Sequence, residues 1–140
     1  MKLAPINCTN DMLAVCLLPL EILKPHEEYC ENNYAYWMEQ IINNGYWTKP
    51  ILVEEKTKII MDGHHRYQIA CALKLRQIPC ILSSYNNPNL SVTSFKSGLL
   101  MDSNIIINAG LSGKLLGKKS TRHELVTELA TVNIPLSMLQ

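Results

Sequence analysis

Ile59-Ile60-Met61-Asp62-Gly63-His64-His65-Arg66-Tyr67-Gln68-Ile69-Ala70 is where the chain changes period. The apolar run Ile59 to Met61 reads as a short β-strand and Gly63 breaks it. From His64 onward the pattern suits a helix that runs to about Leu75, with Ile69, Ala72 and Leu73 on its inner face. A helix start offers free backbone N–H groups and the positive end of the dipole, a natural seat for an anion. Gly63 would let a phosphate approach the backbone, Arg66 could add a bidentate contact, and His64 and His65 lie in the same cluster. Asp62 would repel a phosphate unless a divalent cation bridged the two, so an oxygen-liganded Mg²⁺ at Asp62 is physically sensible.

Ahead of Asp62, Pro50-Ile51-Leu52-Val53 and Lys58-Ile59-Ile60-Met61 form two β-rich runs, and the polar Glu54 to Thr57 between them suits a hairpin. Before them, Tyr34, Trp37, Met38, Ile41 and Ile42 mark one helical face, with Asn32 or Asn33 as cap and Gly45 as stop. Residues 13 to 18 make a strand ended by Pro19, and a loop after Pro25 carries His26-Glu27-Glu28. Ile78 to Leu82 is a further strand and Asn86-Asn87-Pro88-Asn89 a loop. The last third predicts a strand near Val92 to Phe95, a helix from about Asn104 to Leu115, a loop from Gly117 to His123, and extended chain thereafter. The whole reads as α/β (α+β), a mixed sheet with about three helices.

Composition narrows the function. With 140 residues, 47% apolar and 18% charged, the chain suits one folded core and not a disordered one. No apolar run approaches the ~20 residues of a membrane span. Met1 to Pro5 and the apolar Leu13 to Leu20 lack the basic flank and cleavage site of a signal peptide. A net charge of +1 offers no basic excess for duplex DNA, so a nucleic-acid partner is not expected. Five cysteines, an odd count with no C-x-x-C pair, imply reduced thiols and a cytoplasmic protein; Cys71 and Cys80 read as core residues.

Lys118, Lys119, Ser120, Thr121, Arg122 and His123 form a second group of anion donors. Together with the central motif, they carry a resemblance. The strand Pro50 to Val53, the hairpin, Asp62-Gly63-His64-His65-Arg66-Tyr67 and the strand Ile78 to Leu82 resemble the ParB/sulfiredoxin nucleotide-binding module. Gly63, Arg66 and Tyr67 match the Gly-x-x-Arg-Tyr pattern of ParB proteins. His64 stands where sulfiredoxin has its catalytic cysteine, which argues against that chemistry. Three motifs in order are similar to those of the branch that phosphorylates free L-serine: His26-Glu27, Asp62-Gly63-His64-His65-Arg66, and Lys119-Ser120-Thr121-Arg122-His123. The likeness covers roughly residues 15 to 136, with less chain before the last motif than in the relatives.

The resemblance implies a single ParB/sulfiredoxin-like domain over residues 1–140, its motif module at about 15–85 and a C-terminal segment at about 90–140. It implies a kinase that moves a phosphoryl group from ADP or ATP to the hydroxyl of L-serine. Glu27 would be the general base, with Asp62 beside it in catalysis and holding Mg²⁺. Gly63, His64, His65 and Arg66 would bind the nucleotide phosphates, and Lys119, Ser120, Thr121, Arg122 and His123 the amino acid or the transferred group. A homodimer is compatible with the pattern. Two alternatives stay open: a ParB-like nucleotide-binding regulator associated with DNA, and a non-catalytic module for a phosphorylated metabolite.

Overall fold

The computed structural model describes residues 14–140; Cys8 and the Met1 to Pro5 stretch lie outside them. In chain order the elements are β1 (Val15–Pro19), α1 (Glu31–Asn44), β2 (Tyr46–Trp47), β3 (Ile51–Glu54), β4 (Ile60–Asp62), α2 (His64–Ala72) and β5 (Gln77–Ser83). β6 (Leu90–Ser94), α3 (Ser103–Ser112), β7 (Thr121–Leu125) and β8 (Ile134–Pro135) complete the fold, with short 3₁₀ turns at Leu20–Ile22 and Leu136–Met138.

A four-stranded sheet runs β1-β5-β3-β4. β1 is antiparallel to β5, β3 lies parallel to β5, and β4 returns antiparallel on β3. The parallel pair needs a long crossover, which β4 and α2 supply. That connection brings the start of α2 to the sheet edge, directly after β4. Alternate residues of these strands feed two apolar layers. Ile51, Val53, Ile60, Ile78 and Cys80 face one, where Ile41 of α1 and Ile69 and Ala70 of α2 cover them. Leu52, Met61, Ile81 and Val15 face the other, under Tyr85, Leu90, Leu125 and Leu129.

The C-terminal third is built into this body. β6 and β7 pair along five residues, from Leu90↔Leu125 to Ser94↔Thr121. β8 pairs with β2, and the Leu139 carbonyl accepts from the Arg76 and Gln77 N–H groups, so the chain's last turn is fixed to the start of β5.

Several expectations are corrected. α2 ends at Ala72, since Lys74 turns into the left-handed region (φ 57°). Its inner face is Ile69 and Ala70; Ala72 and Cys71 are exposed, so Cys71 is no core residue. Ile42 also points outward, at 52% exposure. α3 stops at Gly113, not Gly117. Thr121, Arg122 and His123 lie in a strand, not a loop. No disulfide joins the four described cysteines.

Candidate active site

The two adjacent histidines at the start of α2 turn toward the loop after β1. His64 Nε2 accepts a hydrogen bond from the backbone N–H of His26 (3.1 Å), and His65 Nε2 accepts one from that of Cys30 (2.8 Å). A backbone N–H only donates, so both imidazoles are neutral at Nε2. Burial first, then neighbouring positive charge, holds the pKa of His64 well below its ordinary value; His65 is shifted down by burial as well. From the other side, Leu116 pairs with the same loop through Glu28 N–H to Leu116 O and Leu116 N–H to His26 O. The loop is thus pinned at His26, Glu28 and Cys30, and Glu27 lies between the first two.

Glu27 lines an open cleft of about 700 Å³ that also takes in Asp62, Gly63, His65, Lys119, Thr121 and His123. Its Oε1 accepts from the Thr121 hydroxyl (2.7 Å) and, more loosely, from the Thr121 N–H (3.3 Å). The same hydroxyl lies 2.9 Å from Nε2 of His26, a fully buried side chain whose Nδ1 is 2.6 Å from the Ile60 carbonyl. Thr121 therefore links the first and last sequence motifs.

Gly63 caps α2 with φ at 114°. Arg66 is placed differently from the phosphate clamp expected of it. Its Nη1 donates to the Lys49 and Pro50 carbonyls, at 2.8 and 3.0 Å, and its guanidinium stacks over Trp37. Its Nη2 lies 3.9 Å from Asp62. Arg122 is exposed and pairs with Glu124, and the Ser120 hydroxyl turns back to the Gly117 carbonyl. Of the late motif, Lys119, Thr121, Arg122 and His123 border the cleft, and Ser120 shapes the turn.

His123 is the residue with unspent capacity. Its Nε2 is 3.0 Å from the Tyr85 hydroxyl, while its Nδ1 is buried without a partner. Tyr85, whose pKa burial pushes up, is the residue that sequence reasoning missed; a lone Tyr after a strand carries no signal. Burial, and after it His26, pulls His123 down to about 3. A buried neutral histidine binds fewer protons folded than unfolded below pH ~6.5, so stability falls as pH drops through that window. At pH 5.5 the loss from His123 is expected to be on the order of 1 kcal/mol relative to pH 7.5. Urea midpoints at the two pH values check this, and a flatter profile is expected for His123→Asn.

Two groups of side chains invite a cation. His26, Glu27 and His64 bring ligand atoms within 4.8 Å of one another. Both ring nitrogens of His26 and Nε2 of His64 are already hydrogen-bonded, so this trio does not fit a metal. Asp62, 60% exposed and held only loosely by Arg66, does fit. Mg²⁺ is commonly held by one or two carboxylates and keeps several waters, which a single exposed carboxylate allows.

The geometry defines a ParB/sulfiredoxin-like α/β fold in which a carboxylate-bearing loop is braced against the glycine-headed start of α2. The same fold is seen in a free serine kinase in complex with AMP, at a TM-score of 0.82 and 13% identity over 92% of this chain and 95% of that one. No family model matches the sequence. The chain is 33% identical over 81 residues to the ParB-like nuclease domain-containing protein YnaK of Escherichia coli, covering 54% of this chain and 88% of YnaK, and it belongs to the ParB-like family. It is also 32% identical over 83 residues to a ParB-like protein of Sulfolobus acidocaldarius, covering 59% of this chain. The ADP-dependent L-serine kinase SerK of Thermococcus kodakarensis is 24% identical over 94 residues, covering 64% of this chain. The chain spans about two fifths of the length of these last two relatives, 41% and 39%. Among the described residues, no helix is long and apolar enough to cross a membrane.

Proposed function

We propose that this protein is a nucleotide-dependent kinase for the hydroxyl of free L-serine, producing O-phosphoserine. The observation that carries the reading is Glu27. It is held between two pinned residues of its loop and lines a cleft that opens on the start of α2. Likeness to relatives named L-serine kinase supports the substrate, and those relatives are named for ADP in one case and ATP in another. The donor's terminal phosphate would rest over Gly63 and the first turn of α2, with Lys119 and the Nη2 edge of Arg66 supplying positive charge. Glu27 would take the serine hydroxyl proton as the serine oxygen forms its bond to phosphorus. The bond from phosphorus to the nucleotide's bridging oxygen breaks, and that oxygen keeps the electron pair. His123, at the wall of the cleft, would help to hold the amino acid or the transferred group. Mg²⁺, when bound, would neutralise charge on the phosphates, and Asp62 is the residue to hold it. Such catalysis is mostly positioning and electrostatics.

Incubation with serine, Mg²⁺ and either ADP or ATP, followed by phosphorus NMR, is expected to show O-phosphoserine with at least one donor. Binding of nucleotide with no phosphoserine from either would favour the non-catalytic binding module. Asp62→Asn is expected to abolish turnover and to weaken the Mg²⁺ dependence of nucleotide affinity. Stability should stay within about 0.5 kcal/mol, because the side chain is exposed. Near-native activity in this variant would remove the metal role from Asp62.

A further inference from the structure

The contacts around Thr121 constrain where protons sit. His26 Nδ1 faces the Ile60 carbonyl at 2.6 Å, and a carbonyl only accepts, so Nδ1 carries a proton. The Thr121 hydroxyl has one proton but two neighbours that could receive it, Glu27 Oε1 at 2.7 Å and His26 Nε2 at 2.9 Å. Both contacts are satisfied only when one neighbour brings a proton of its own. Either His26 Nε2–H donates to Thr121 while Thr121 donates to an ionised Glu27, or a protonated Glu27 donates to Thr121 while Thr121 donates to a neutral His26. The two arrangements hold the same number of protons and differ by a shift along the chain.

The surroundings favour the first arrangement. His26 Nε2 lies 3.4 Å from Glu27 Oε1, close enough for a direct ion pair. The Thr121 N–H adds a donor to the same oxygen, as suits a carboxylate. The other ionisable groups facing His26 are His64 of α2 and His123 of β7, with ring centres 4.4 and 5.6 Å away. Because His64 accepts at Nε2, it adds no competing charge.

We propose that His26 is a buried imidazolium which, through the Thr121 hydroxyl, keeps Glu27 ionised and turns its second oxygen to the cleft. His26 and Thr121 are then positioning residues for the base, and Thr121 is not the serine contact it was expected to be. The inference rests on Glu27 being that base. Its consequence for the reaction is specific: the proton taken from serine goes to a carboxylate whose other oxygen is already saturated. It leaves again to solvent through the cleft, while His26 keeps its charge throughout.

The test uses the whole protein labelled with ¹⁵N-histidine, at pH 7.5, without nucleotide. Of four histidines, one is expected to show both ring nitrogens protonated, and its signal should vanish in His26→Gln. Thr121→Val should return that ring to a single N–H while Thr121→Ser preserves it. In the kinase assay, Thr121→Val is expected to lower kcat by about 10- to 100-fold with nucleotide KM unchanged, and Thr121→Ser to restore most of it. A wild-type His26 protonated at Nδ1 alone overturns the proposal, as does an unchanged spectrum and kcat in Thr121→Val. The wild-type spectrum decides even if a variant fails to fold. Because it is read without substrate, it stays separate from any failure to form phosphoserine.

Discussion

Replacing Glu27 by glutamine is expected to cut phosphoserine formation by on the order of 10²-fold or more while nucleotide affinity stays near wild type. Glutamine matches the size of the side chain and its Oε1 still accepts from Thr121, so the loop clamp is untouched. The His26 and Cys30 N–H groups keep their bonds to His64 and His65, and the Glu28 N–H keeps its bond to Leu116. What disappears is the basic carboxylate at the cleft. Glu28→Gln is the matched control, since Glu28 is exposed and borders a separate hollow with Tyr29 and Lys118. Initial rates across a serine titration, with nucleotide affinity measured independently, separate the outcomes. Equal rates in both variants, or a loss confined to Glu28→Gln, would remove Glu27 from the role of base.

The sequence made the place of the site legible but not every role within it. Gly63 marks the change from β4 to α2, and the neighbouring Asp62, His64, His65 and Arg66 all converge there. Read from composition, the histidines and the arginine look like phosphate ligands, because cations at a helix start favour anions. In the folded chain their polar atoms meet backbone groups first. His64 and His65 accept from N–H groups 38 and 35 residues earlier, and Arg66 donates to carbonyls 17 and 16 residues earlier. Contacts at that separation depend on topology, which local pattern does not encode. The partners are main-chain atoms, so no side-chain motif announces them.

The late motif lies in a strand and not in the expected loop, for a different reason. Lysines, a serine and glycine around residue 118 suggest a solvated loop, and the reading carried that character on through His123. The structure shows Thr121, His123 and Leu125 turned inward, and Arg122 and Glu124 outward. That alternation is the period-two signature of a strand with one buried face. It was available, but the charges on the outer face masked it. Once β7 is paired with β6, Thr121 has a fixed direction and meets Glu27 and His26 as one unit. Tyr85 follows the same logic: its importance lies in reaching His123 of β7 from the turn after β5, and nothing near it in sequence hints at that contact.

Gly63→Ala is expected to destabilise the protein by roughly 2–4 kcal/mol, combining left-handed backbone strain with overpacking. A β-carbon built at Gly63 would stand 2.4 Å from Cγ2 of Ile51 and 2.8 Å from its Cβ, and φ there is +114°. Ile51 cannot yield easily. It is fully buried in β3, between β4 on one side and the parallel partner β5 on the other. The relief must come from α2 moving off the sheet, which would also pull His64 and His65 away from the loop that holds Glu27. Loss of stability and loss of turnover are therefore expected together, unlike the pattern for Glu27→Gln. Urea unfolding of Gly63→Ala, Ile51→Ala and the double variant gives the coupling. Ile51→Ala removes Cγ2, so the double variant should be less destabilised than the sum of the two singles, by about 1 kcal/mol or more. If Gly63→Ala alone unfolds within about 0.5 kcal/mol of the wild type, the ordinary scatter of surface changes, the close approach of β3 to the start of α2 is not a constraint on this fold.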